Sequence, residues 1–225
     1  MPDSSPVPRS AAEIHAYFVA LLNSALRRPG MFGGEVELTM LTRHLLFVEG
    51  RDGAWEDWEA EQTWRGAFNT CRATGGFGRL LPGDSMDCAA ASLYAEFAQA
   101  QRWLRPDRVL GPAEYASMRA GLREWTTRDR VLGDVLTAFG PPSLRCGGAN
   151  PRYGKTLCYL TGRREDPLVA FHLWNGSERG AGAVWPPPYD EPALLAARTG
   201  SGPFAATFAF TPEGRRHRPE PPGGC

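Results

Sequence analysis

The strongest constraint on this 225-residue chain is the way helical periodicity gives out where proline begins. Apolar residues recur at helical spacing as far as about residue 130, and thirteen of the 20 prolines lie after residue 140. Proline lacks an amide donor and fixes its own φ, so the second stretch cannot be a run of long helices. Its apolar segments are short and bounded by Gly and Pro, as strands are. The chain therefore reads as α+β, a helical N-terminal part packed against a small, mostly antiparallel sheet. The expected divisions are a loose N-terminus at 1–10, a helical domain at 11–128, a small α+β domain at 129–214 and a loose tail at 215–225.

Six helices are expected. Ser10-Ala-Ala-Glu13 is a capping-box signature, and Ile14, Tyr17, Phe18, Leu21, Leu22 and Ala25 follow as one stripe. Pro29-Gly30 stops that helix near Arg28. Leu38, Leu41, Leu45 and Val48 mark a second helix, and Trp55, Trp58 and Trp64 sit in or near a third. Thr74 to Gly83 reads as a glycine-rich loop. Asp84–Asp87 suits the start of a fourth helix carrying Leu93, Phe97, Ala100 and Leu104. Pro112 opens a fifth, with Tyr115, Met118, Leu122 and Trp125, and a sixth spans about 129–139 before Gly140-Pro141-Pro142. That sixth helix is expected to pack on the sheet. Thr156–Thr161 and Leu168–Trp174 read as a hairpin, Phe204–Phe210 as a third strand, and Val184–Pro192 as an extended connector.

Equal numbers of basic and acidic residues, 25 each, argue against nucleic acid as the partner. The basic residues are 24 Arg and one Lys, the residue usage of a GC-rich bacterial genome, so Arg abundance by itself carries no argument. No run approaches the ~18 apolar residues of a membrane span, and no signal peptide is legible. Five unpaired-looking cysteines fit a reducing cytoplasm.

Three patterns could carry chemistry. Ala149-Asn-Pro-Arg-Tyr-Gly-Lys155-Thr156 fits a relaxed phosphate-loop pattern, but β-forming residues follow it where a helix should start, and Pro151 removes an amide from the cradle. It is read as a glycine-rich loop entering a strand, so no cofactor is expected. Cys88 falls in a first helical turn, where the dipole favours thiolate, and His172 and Asn175 follow on a later strand. This order resembles that of papain-like amidases, and Asp87-Cys88 resembles the Asp-Cys-Ser-Gly of their cell-wall-acting relatives. The resemblance implies a cysteine hydrolase or transferase with Cys88, His172 and Asn175 as its catalytic residues. Here the motif continues Ala89-Ala90, and about 40 helical residues precede the sheet. The bland reading is a small core cysteine, with His172 hydrogen-bonded inside a strand covered on both faces. The four histidines and five cysteines lack ligand spacing, so no metal is expected. Finally, Glu56, Asp57, Glu59 and Glu61 interleave with Trp55, Trp58 and Trp64. This is either an acidic helix with core tryptophans or a docking surface built on Trp55, Trp58 and Glu59.

Leu26 to Gly34 (LRRPGMFGG) resembles the Arg-Pro-Gly-Met-[Tyr/Phe]-x-Gly turn of two groups. One is the ATPase domain of type II topoisomerase B subunits, but its Asp-Asn pair has no counterpart in Leu38–Glu49. The other is a set of uncharacterised bacterial helical proteins, some of them immunity or accessory factors. That resemblance implies a helical start with Gly30 and Gly33 free to take positive φ. The function expected overall is a non-catalytic, cytoplasmic binding or accessory protein, immunity-like and acting on a protein partner, with the cysteine enzyme as the alternative.

Overall fold

The computed structural model describes residues 10–83, 86–176 and 186–219. Residues 1–9 of the expected N-terminal segment, Asp84 and Ser85 of the expected helix start, the first two residues of the Val184–Pro192 connector and the end of the tail lie outside the described residues. The chain is α+β. Helices α1 (Ala11–Arg27), α2 (Pro29–Phe32), α3 (Gly34–Val48), α4 (Gly53–Arg65), α5 (Arg72–Phe77) and α6 (Met86–Ala100) come first. Helices α7 (Pro112–Trp125) and α8 (Leu132–Phe139) lead into strands β1 (Leu144–Cys146), β2 (Lys155–Tyr159), β3 (Val169–Trp174), β4 (Ala193–Arg198) and β5 (Phe208–Phe210), and α9 (Pro212–Arg216) follows them.

The strands form one antiparallel meander in the order β1-β2-β3-β4-β5. Alternation along β3 sends Ala170 and Trp174 into the core shared with α1, α3, α4 and α6. Val169, Phe171 and Leu173 point the other way, into a second core with Tyr115, Met118 and Leu122 of α7 and Val135 of α8. The sheet is thus a middle layer. Both α7 and α8 cover its far face, and every residue of β3 is buried.

Local rules account for most of the boundaries. Ser10 and Glu13 complete the capping box of α1, and Pro112 occupies the first turn of α7. Pro29 both ends α1 and opens α2, where its missing amide costs nothing. The left-handed residues after it are Gly33 (φ 96) and Gly34 (φ 66); Gly30, expected to need that freedom, is helical.

Five expectations change. The buried face of α1 runs through Val19, Leu22, Asn23 and Leu26, which leaves Tyr17 49% exposed. The stretch expected as a glycine-rich loop contributes to α5. Its glycines serve close approach: a Cβ on Gly75 would lie 1.8 Å from Asn69 Oδ1, and one on Gly76 would lie 1.8 Å from the Ala67 carbonyl. Phe204–Thr207 is a 3₁₀ turn, so only Phe208–Phe210 is strand. Strands β1 and β4 are additional. Within the segment expected to be a loose tail, Arg215 donates to the Phe210 carbonyl at 2.8 Å, and the His217 ring lies 4.5 Å from that of Trp174.

Candidate functional site

Helix α6 begins at Met86, which places Cys88 in its first turn as the motif requires. Its surroundings do not favour a thiolate. Burial, together with the Asp87 carboxylate next to it, pushes the thiol up to about 12, against the pull of the Lys155 ammonium. The sulfur is packed so closely against Gly147 that a Cβ there would lie 3.1 Å from Sγ. The helix dipole is outweighed by desolvation.

His172 lies on β3 opposite Thr156 of β2. Its Nδ1 is 3.1 Å from the Thr156 hydroxyl, and its ring packs against Phe77 at 5.3 Å and Phe208 at 5.7 Å. Burial, with the Arg198 charge nearby, holds the imidazole well below its usual range, so it is neutral. Cys88 is therefore held as a thiol and His172 as a neutral imidazole, the opposite of an activated ion pair. Asn175 is spent on backbone: its Nδ2 donates to the Arg152 and Tyr189 carbonyls, both at 2.7 Å, and its Oδ1 accepts from the Tyr189 amide at 3.0 Å. That clasp fastens the end of β3 to the segment leading into β4.

Lys155 is the first residue of β2 and 1% exposed. Its Nζ donates to the carbonyls of Gly148 at 3.2 Å and Asn150 at 2.6 Å, closing the loop between β1 and β2. Burial, followed by the Arg145 charge, lowers its ammonium to about 8. The side chain satisfies backbone oxygens.

The tryptophans of α4 divide. Trp55 and Trp58 are 3% and 9% exposed, whereas Trp64 is 82% exposed. Trp58 packs against Trp55, Phe68, Tyr94 and Phe97 with ring centroids 4.6–5.3 Å apart. Glu59 accepts from Trp55 Nε1 at 3.1 Å and from Arg72 Nη1 at 2.5 Å. Trp55 and Trp58 of the expected docking surface are thus core residues, Glu59 stays half-buried beside them, and of the three tryptophans Trp64 alone is turned outward by the packing of α4.

A cleft of about 630 Å³ opens where α2 and α3 meet the starts of α5 and α6, lined by Gly33, Gly34, Glu35, Thr39, Arg72 and Asp87 among others. Buried Glu35 organises its floor by accepting from the amides of Ala73 and Thr74, both at 2.8 Å, and from the Tyr94 hydroxyl at 3.0 Å. It caps the first turn of α5 from another helix, which sequence inspection missed because the partners are 38 and 39 residues away. Among the described residues, no group of three or more His, Cys, Asp or Glu side chains is arranged to hold a metal ion, and no helix is long and apolar enough to cross a membrane.

The first three helices also carry a run of exposed apolar side chains: Tyr17 at 49%, Met31 at 77%, Val36 at 81%, Met40 at 43% and Phe47 at 69%. Comparison with protein-family models, with curated proteins and with solved structures finds no match for this chain.

Proposed function

We propose that this chain is a non-catalytic binding or accessory protein of a bacterial cytoplasm, immunity-like in acting on a protein partner. The observation that carries this reading is the exposed apolar run on α1, α2 and α3. Val36, Met40 and Phe47 lie at i, i+4 and i+11, one line along α3, while Leu38, Leu41 and Leu45 fill its buried face. Large apolar side chains at 43–81% exposure are the composition of an interface waiting for its other half. The cytoplasmic setting is supported by Cys71, Cys88, Cys146 and Cys158, all free thiols.

The experiment is photo-crosslinking in cells from position 40 and, as a comparison, from position 64, with the partners identified by mass spectrometry. A stoichiometric protein captured from position 40, lost on Phe47→Glu and retained on Trp64→Ala, supports the reading. Capture unaffected by Met40→Glu and Phe47→Glu together counts against it.

The competing proposal is a cysteine hydrolase or transferase using Cys88 and His172. It needs a thiolate near neutral pH, which burial and Asp87 oppose. A thiol reacting as fast at pH 6–7 as an activated cysteine would revive it.

A further inference from the structure

We infer that the α3 face takes an acidic, amphipathic segment of its protein partner, an inference that rests on the binding reading above. The line through Val36, Met40 and Phe47 also contains Arg43, three residues after Met40 and four before Phe47. Arg43 is exposed, and among the described residues its side chain has no hydrogen-bond or ion-pair partner. Arg28, likewise exposed, precedes Met31 at the start of α2, and His44 lies beside Arg43 with its ring 5.3 Å from Phe18. Of the carboxylates nearby, exposed Asp87 lines the cleft that Val36 borders, and those toward the far end of the row are occupied. Glu49 is engaged by His15 at 2.9 Å, Trp103 at 2.7 Å and Arg51 at 3.2 Å, and Glu13 closes the capping box of α1. Half-buried Glu37 sits a step round the helix from the line.

A partner covering this row must bury apolar groups around a guanidinium. A wholly apolar partner would strand that charge, and a basic one would repel it. A second copy pairing α3 against α3 about a two-fold axis would set residues opposite one another whose numbers sum to 83, Val36 against Phe47 and Met40 against Arg43. The two Arg43 side chains would then stand roughly 4–5 Å apart along the helices, a like-charge contact at the centre of the interface. A helix with apolar residues at i, i+4 and i+7 flanked by carboxylates meets the row and both arginines together.

The test uses the full chain, isotope-labelled, titrated with two designed peptides of one leucine pattern, flanked by Glu in one and by Lys in the other. The Glu peptide should bind at least about tenfold more tightly at low salt, weaken as salt is raised, and shift the α3 amides. Arg43→Glu, at an exposed position that leaves the fold intact by circular dichroism, should reverse the preference. Equal binding of both peptides at α3 overturns the acidic-segment inference while leaving a protein partner in place. Binding of neither, with no crosslinked partner from position 40, ends both readings. Sedimentation showing a dimer broken by Met40→Glu overturns the inference in favour of a second copy.

Discussion

Arg198, 0% exposed on β4, donates through Nη1 to Glu96 Oε2 of α6 at 3.0 Å. This ion pair ties the sheet to α6 of the N-terminal layer, and Nη2 reaches the Ser92 hydroxyl at 3.5 Å from the same helix. Glu96→Ala would leave a guanidinium buried without its counter-charge and should cost about 3 kcal/mol or more, whereas Arg198→Met should cost much less because it removes the charge that needs a partner. Urea denaturation of the two variants checks this. Equal losses would mean that the pair, and not burial of an unpaired charge, sets the cost.

Acid should weaken the fold through His172. Its folded-state affinity for protons is depressed, by burial first and by Arg198 second, below the ordinary value of 6.5. The unfolded chain therefore binds a proton that the folded chain refuses. The resulting stability is complete above pH 6.5 and declines as pH falls below it. The urea midpoint of the wild type should drop between pH 7 and pH 5, and His172→Phe should flatten that slope. A slope unchanged in His172→Phe would assign the loss to other groups. Glu49, held below its usual range by Trp103, His15 and Arg51 despite its burial, adds a further loss only near and below pH 4.5.

Thiol labelling should rank Cys71 ahead of Cys88. Cys71 is exposed, while Cys88 is pushed up to about 12. Under limiting iodoacetamide at pH 7–8, peptide mass spectrometry should find Cys71 modified first. The Cys88 rate should keep rising with pH through 9, without the plateau that an activated cysteine shows. Faster labelling of Cys88 at pH 7 would contradict the packing around it.

Two tryptophans on one helix should behave oppositely. Trp58→Ala removes a ring packed against four others and should cost about 3–5 kcal/mol. Trp64→Ala, on the solvent side, should stay within about 0.5 kcal/mol of wild type. Thermal denaturation of both variants separates the cases, and a large loss at Trp64 would mean that its side chain is covered.

What the sequence determined by itself is everything that short-range chemistry controls. The capping box at Ser10, the proline breaks at Pro29 and Pro112, the hairpin joining β2 to β3, and the apolar faces of β3 all follow from spacing within a few residues. The α+β class follows from them. β4 escaped because Ala193–Arg198 (ALLAAR) is rich in residues with high helix propensity. It is strand only because β3 and β5 offer hydrogen bonds on either side. Periodicity also shows which side chains share a face but not which face meets another element. Tertiary packing alone decided that Trp58 is core and Trp64 is not, that Lys155 serves loop carbonyls, and that the dipole at Cys88 loses to desolvation. It also decided that α3 turns Val36, Met40 and Phe47 to solvent. Burial is a property of two surfaces meeting, and one stretch of sequence holds only one of them.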